Sequence, residues 1–180
     1  MMNDNLLKNL AKVKILISDV DGILTDGRIL VSNKSEFKFF HVEDSLATSL
    51  LNLADIPVSF ISARVSAATT TRLDELKIKH YFQGYLNKVK ALDKIIEIYN
   101  LEYADVLYIG DGLVDIPVME KVGFSITVPN AHSEVKDQAD FITKKSGGTG
   151  VLVEITRYLL QSKGIYEQTL LKMRNQVYND

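Results

Sequence analysis

The sequence contains no cysteine and no tryptophan, and it has only three histidines in 180 residues. The absence of cysteine excludes disulfides, thiolate nucleophiles, iron–sulfur clusters and zinc sites built on cysteine. His41, His80 and His132 are far apart and lack the spacing of a histidine metal motif. Any catalytic chemistry must therefore depend on carboxylates, hydroxyls, lysine, arginine or backbone amides.

The chain also lacks a strong excess of either charge and any long apolar run. Its 21 basic and 23 acidic residues give a net charge of -2, which gives no reason to expect a nucleic acid or an anionic membrane as partner. No segment approaches the ~20 apolar residues that span a bilayer, and the first apolar run, at 13–17, has no adjoining cleavage site of a secretory signal. We therefore expect a cytoplasmic protein with no nucleic-acid and no membrane partner.

Short apolar runs alternate with longer segments of helical periodicity. The runs predict buried parallel strands at 13–18, 58–62, 80–84, 106–109 and 125–128. Helices are predicted at 44–55, 66–77, 88–99 and 150–162, and after Asp115 and Ala131. This alternation is typical of an α/β fold, a three-layer Rossmann-like arrangement with a doubly wound parallel sheet.

Two segments do not fit the alternation. Residues of about 28–41 predict a β-hairpin inserted after the first strand, as a flap or a subunit contact. We predict a single domain at 1–164 and a helical tail at 165–180. The tail is expected to pack either on its own domain or on a neighbouring subunit, through an apolar stripe of Tyr166, Leu170, Met173 and Val177.

Carboxylates follow two of the predicted strands. Asp19 and Asp21 end the first strand and point the same way in an extended segment, while Asp111 and Asp115 follow the strand at 106–109. Alone, the first cluster is equally typical of a solvated turn. Because ligands bind at the carboxyl ends of parallel strands, the second cluster favours a shared site.

Ser62 and Arg64 follow the strand at 58–62, and Lys88 begins a predicted helix, so these residues are expected at the same edge. Clustered carboxylates without histidine or cysteine suit a hard cation, above all Mg²⁺. A lysine and a hydroxyl beside Mg²⁺ suit a phosphoryl group. A carboxylate can attack phosphorus, and a second one can act as general acid and base.

Four motifs in order resemble those of the haloacid dehalogenase-like (HAD-like) phosphatases: the segment DVDGILTDG at 19–27, Ile61-Ser62, Lys88, and Gly110-Asp111 with Asp115. Over residues 11–164 the chain is similar to the capless sugar-acid phosphatases, specifically the 3-deoxy-D-manno-octulosonate 8-phosphate phosphatase family. A receiver domain uses similar groups, but its phosphorylated aspartate follows a middle strand.

The resemblance implies a role for each matching residue. Asp19 would be the nucleophile, Asp21 the general acid and base, and Ser62 and Lys88 the groups that hold the phosphoryl oxygens. Mg²⁺ would be bound by Asp19, the carbonyl of Asp21 and Asp111, with Asp115 as a ligand or an anchor. The family is typically a homotetramer whose hairpins pack together. Substrate contacts are implied for Asp21, Lys88, His41, Val42, Glu43, Asp44, Ser45, Arg64 and Arg72.

The sequence departs from the family where arginines are usual, at Glu43, Thr149 and Val153. We therefore expect Mg²⁺-dependent hydrolysis of a sugar-acid phosphate, with 3-deoxy-D-manno-octulosonate 8-phosphate as first candidate. The alternatives are a nonulosonic acid 9-phosphate, another sugar phosphate, or a catalytically weak phosphatase-like assembly subunit.

Overall fold

A computed structural model describes the backbone of residues 4–179 and the side chains of residues 4–176. The predicted tail residue Val177 therefore has a side chain outside the described residues. No helix within 4–179 combines the length and the apolar character of a bilayer-spanning segment.

Six parallel strands form the main sheet, in the order β5-β4-β1-β6-β7-β8. Every residue of β1, β4, β6 and β7 is buried, which explains why these runs are almost entirely apolar. The central position of β1 makes its carboxyl end the middle of the sheet edge. The strands are β1 Ile15–Ser18, β2 Leu30–Val31, β3 Glu36–Phe37, β4 Val58–Ser62, β5 His80–Gln83, β6 Val106–Ile109, β7 Phe124–Thr127 and β8 Phe141–Ile142.

Two sets of helices flank this sheet and complete the predicted three-layer α/β fold. The first, second, seventh and eighth helices contact one another, and the fourth, fifth and sixth form a second contacting set. The third helix begins after Ser66, whose side chain caps it by accepting from the amide of Thr69. The helices are α1 Asp4–Leu10, α2 Asp44–Leu53, α3 Ala67–Glu75, α4 Lys88–Tyr99, α5 Ile116–Met119, α6 Ser133–Gln138, α7 Val151–Ser162 and α8 Tyr166–Asn179.

The structure differs from the predicted elements at short or marginal segments. The hairpin is present, but β2 and β3 pair over only two residues each, because an isolated two-stranded ribbon is weakly stabilised. Helix α1 and the two-residue strand β8 have no clear periodicity and were not predicted. The first strand begins at Ile15 rather than at residue 13.

The tail helix α8 packs on α2 and α7 of its own domain. Tyr166, Leu170 and Met173 are partly buried against the core, and Thr169 is buried. The described part of the tail stripe thus has an intramolecular partner.

Strand register brings the polar residues to one edge. Ser18 at the end of β1 is level with Phe60 of β4 and Ile109 of β6. Residues two positions beyond these, Ser62 and Asp111, therefore lie level with Val20, between Asp19 and Asp21. This alignment follows from the parallel pairing and creates the candidate site.

Candidate active site

Three carboxylates and one lysine form the centre of the site. Asp19, Asp111 and Asp115 each offer an oxygen within 4.8 Å of the others. Lys88, the first residue of α4, is buried, with Nζ 2.8 Å from Asp19 Oδ1 and 2.6 Å from Asp115 Oδ1. Three ionised carboxylates beside one ammonium carry a net charge of -2, which a divalent cation would balance.

The pKa values reflect this excess of negative charge. Burial raises the pKa of Asp19 to about 8; Asp115 adds to the rise and Lys88 opposes it. Burial and Asp115 likewise raise the pKa of Asp111 to about 6. A cation bound among these oxygens would favour their ionised form, so the donor set fits a hard metal ion such as Mg²⁺.

Asp115 is completely buried and its oxygens are fully used by protein donors. Oδ1 accepts from Lys88 Nζ (2.6 Å) and from the Tyr108 hydroxyl (2.6 Å). Oδ2 accepts from the amides of Asp111 (3.1 Å) and Gly112 (2.9 Å). Of the two roles that the resemblance left open, this geometry favours the anchor. Tyr108 was missed by the sequence reasoning, although it is the one polar side chain in β6.

A tight loop brings Asp111 against the segment that follows β1. Gly22 has a φ of +94°, and a Cβ at this position would lie 2.0 Å from Asp111 Oδ2. Thr25 Oγ1 accepts from the amides of Gly22 (3.3 Å) and Gly27 (3.2 Å), which closes the loop. Glycine is therefore required at position 22 for the two carboxylate motifs to meet.

Asp21 lies beside the cluster and has a lysine of its own. Lys38, which follows β3, forms an ion pair with Asp21, with Nζ 2.7 Å from Oδ1, and donates a hydrogen bond to Thr69 Oγ1 (3.0 Å). Its side chain is 0% exposed. The sequence reasoning missed Lys38, although a single cation between Phe37 and Phe39 was a usable signal.

Ser62 is buried at the end of β4, where its Oγ accepts from the amide of Arg64 (3.1 Å). The two arginines that were predicted to bind the substrate contact other parts of the protein instead. Arg64 Nη2 donates to Glu36 Oε2 of the hairpin (2.9 Å), and Arg72 Nη2 donates to the carbonyl of His41 (3.2 Å). Both arginines thus brace the hairpin and the segment after it.

The predicted substrate segment at 41–45 spans several environments. Val42 is exposed, Asp44 is buried, and Ser45 lines a groove of about 980 Å³ between α2 and α8 that holds none of the clustered carboxylates. Glu43 is half exposed and pairs with Lys145. The segment is therefore not a uniform substrate-binding surface.

Comparison with known proteins agrees with this geometry. The family model of haloacid dehalogenase-like hydrolases matches residues 81–155. The chain is 38% identical over 153 residues to the 3-deoxy-D-manno-octulosonate 8-phosphate phosphatase KdsC of Escherichia coli K12, covering 84% of this chain and 81% of that protein.

Two solved structures are similar over nearly their whole length. The 3-deoxy-D-manno-octulosonate 8-phosphate phosphatase from Yersinia pestis has a TM-score of 0.89 and 33% identity, covering 92% of this chain and 90% of that one. The Moraxella catarrhalis enzyme, in complex with magnesium ion, phosphate ion and KDO, has a TM-score of 0.90 and 33% identity, covering 95% and 99%. By its motifs, fold and relatives, the chain belongs to the haloacid dehalogenase-like hydrolases and is a phosphatase of that superfamily.

Proposed function

We propose that this phosphatase uses Mg²⁺ to hydrolyse the phosphomonoester of a sugar acid, with 3-deoxy-D-manno-octulosonate 8-phosphate as its substrate. The observation that carries the proposal is the buried Lys88 held between Asp19 and Asp115, beside Asp111. The similarity to phosphatases of this substrate supports the sugar acid.

Asp19, Asp111 and the backbone carbonyl of Asp21 are the groups that we assign to the metal. Mg²⁺ supplies the positive charge that lets a phosphate dianion approach these carboxylates. Asp115 stays outside this set, because its four hydrogen bonds orient Lys88 and the loop at 111–112.

Asp19 attacks phosphorus and forms an aspartyl-phosphate as the bond between phosphorus and the sugar oxygen breaks. Asp21 donates a proton to that leaving oxygen. Asp21 then accepts a proton from water, which attacks the aspartyl-phosphate and releases inorganic phosphate and the free Asp19 carboxylate. Lys88 and Ser62 hold the phosphoryl oxygens and stabilise the charge that develops on them.

Lys38 orients Asp21 for both proton transfers. Its ammonium reaches the carboxylate from the hairpin side and is fixed by Thr69 and by complete burial of its side chain. The hairpin segment thus contributes a side chain to the site.

Our proposal includes a homotetramer in the cytoplasm, with the hairpins at the subunit contact. Leu30, Val31, Phe37 and Phe39 are 56–71% exposed on the hairpin, which is costly for large apolar side chains. The double variant Phe37→Ser/Phe39→Ser is expected to lower the solution mass measured by light scattering. Leu171→Ser, which removes an equally exposed residue of α8, is the control; an unchanged mass in the double variant would contradict this contact.

The function is tested with a panel of phosphate esters in the presence of Mg²⁺. The panel contains 3-deoxy-D-manno-octulosonate 8-phosphate, a nonulosonic acid 9-phosphate, a pentose 5-phosphate and an aryl phosphate. We expect the highest kcat/KM for the octulosonate and loss of turnover in Asp19→Asn. Turnover that is unaffected by Asp19→Asn would refute the mechanism, and preference for another ester would refute the substrate.

A further inference from the structure

The rim of the site carries a cluster of polar side chains that the mechanism above does not use. Lys145 Nζ lies 3.2 Å from Glu43 Oε2, and His41 Nδ1 lies 3.9 Å from the same oxygen. Gly150 faces all three: a Cβ there would lie 2.9 Å from Lys145 Nζ, 3.2 Å from His41 Nδ1 and 3.3 Å from Glu43 Oε2. The absence of a side chain at Gly150 therefore lets these three polar groups lie close to the backbone at this position.

Two connections tie this cluster to the catalytic loop. The amide of Gly148 donates to the carbonyl of Ile23 (2.9 Å), and a Cβ at Gly147 would lie 1.7 Å from the carbonyl oxygen of Gly22. On the other side, Lys38, which contacts Asp21, is only three residues from His41. The backbone segments that carry Lys145 and His41 therefore adjoin the catalytic loop and the residue that contacts Asp21.

Lys145 and its ion-pair partner are more exposed to solvent than the other lysines of this region and their partners. Lys88 and Lys38 have side chains 1% and 0% exposed, and the carboxylate side chains that they face are 0–20% exposed. Lys145 is 38% exposed and its partner Glu43 is 50% exposed. An exposed ion pair contributes only about 0–1 kcal/mol, so Lys145 can exchange Glu43 for another carboxylate at little cost.

A second carboxylate, Asp44, interacts electrostatically with Lys145. Asp44 is 1% exposed, and its carboxylate lies near the backbone of Leu152. Burial raises the pKa of Asp44 to about 7, while Arg72, the backbone of Leu152 and, to a smaller extent, Lys145 oppose the rise. Lys145 thus pairs directly with Glu43 and interacts favourably with the ionised form of Asp44.

We infer that Lys145 determines specificity by binding the carboxylate of the substrate, and that Glu43 holds Lys145 in place until the substrate replaces it. This inference rests on the proposed function. Glu43 is then a positioning residue, and the negative charge that it brings to the rim is compensated by Lys145.

This inference is tested with the full-length enzyme and Mg²⁺ on two phosphate esters, one that carries a carboxylate and one that does not. In Lys145→Met, the KM for 3-deoxy-D-manno-octulosonate 8-phosphate is expected to rise about tenfold at unchanged kcat, since a hydrogen bond to a charged group is lost. The kcat/KM for a pentose 5-phosphate, which has no carboxylate, should not change. Lys145→Arg should restore most of the affinity.

Lys144→Met is the matched control, because Lys144 is exposed and adjacent and its substitution changes the net charge equally. An equal effect of Lys145→Met on both esters, or no effect on either, would overturn the inference. If the wild-type enzyme itself does not prefer the carboxylate-bearing ester, the proposed substrate is wrong instead. Calorimetric binding of the free sugar acid to the same variants gives a readout that needs no turnover, and equal affinity of wild type and Lys145→Met would also overturn the inference.

Discussion

Asp115 and Asp111 both belong to the carboxylate cluster with Asp19, but their different contacts predict different effects of substitution on stability and on metal binding. The Asp115 carboxylate pairs with the buried Lys88 at 2.6 Å and accepts a hydrogen bond from the Tyr108 hydroxyl, and Asp115→Asn removes its charge. Breaking a buried pair on one side costs about 3–5 kcal/mol. Lys88 keeps its second partner, Asp19, at 2.8 Å, and the loss of Asp115 relieves repulsion with Asp19 and Asp111. We therefore expect a decrease of about 3 kcal/mol in the free energy of unfolding, the lower end of this range.

Asp111→Asn is expected to behave differently. Asp111 is only partly buried, and its side chain forms no ion pair with a described residue. Its neutralisation lowers the repulsion with Asp115, so the stability of the metal-free protein should change by less than about 1 kcal/mol. Its loss should instead weaken metal binding.

Urea unfolding with EDTA and with saturating Mg²⁺ separates the two roles. A ligand that binds only the folded state at a hundred times its Kd adds about 2.7 kcal/mol. We expect Asp111→Asn to lose most of the Mg²⁺-dependent increase and Asp115→Asn to keep it relative to its own metal-free form. The reverse result, with Asp115→Asn stable in EDTA but insensitive to Mg²⁺, would refute its assignment as an anchor.

Three further predictions follow from the same contacts. The pKa values of Asp19 and Asp111 rise from 3.8 to about 8 and about 6 in the metal-free fold, so the folded state binds protons that the unfolded chain has released. The urea midpoint in EDTA should therefore decrease as the pH is raised from about 5 to about 8, and the increase in midpoint that Mg²⁺ causes should become larger over the same range. A midpoint that increases with pH would contradict this. Lys38→Met should lower kcat about a hundredfold by misplacing Asp21, with partial recovery in Lys38→Arg, and equal kcat in both variants would argue against orientation. Gly22→Ala places a Cβ 2.0 Å from Asp111 Oδ2 at a φ of +94°, so unfolding in urea should show a loss of more than about 1 kcal/mol.

The sheet and the central carboxylates were predictable because they follow from local signals. Strands β4 and β6 have the predicted bounds, since a run buried on both faces leaves a continuous apolar segment between polar residues. Parallel pairing then aligns the ends of these strands, so Asp19, Ser62 and Asp111 had to approach one another. The short strand β8 lacks such a signal, because two residues are too few to establish a period.

The residues that contact these carboxylates were harder to predict from the sequence. The Asp115–Tyr108 bond could be guessed from a tyrosine within a buried strand, because a buried hydroxyl needs an acceptor. Lys38 could be guessed only as a cation in an apolar hairpin. That it faces Asp21 depends on how the hairpin folds back over the sheet, which no periodicity encodes.

Substrate recognition is the property of the site that is hardest to predict from one sequence position at a time. Read alone, Glu43 is a negative charge where an anionic substrate would be repelled. In the fold it lies 3.2 Å from Lys145, a residue 102 positions away, so the charge that the substrate meets belongs to the pair. Because the pair is half exposed, its members can separate and take new partners without a large loss of stability. The effect of a charge change at such a rim therefore depends on the facing segment, and the arginine positions lost from the family pattern do not by themselves argue against a sugar acid.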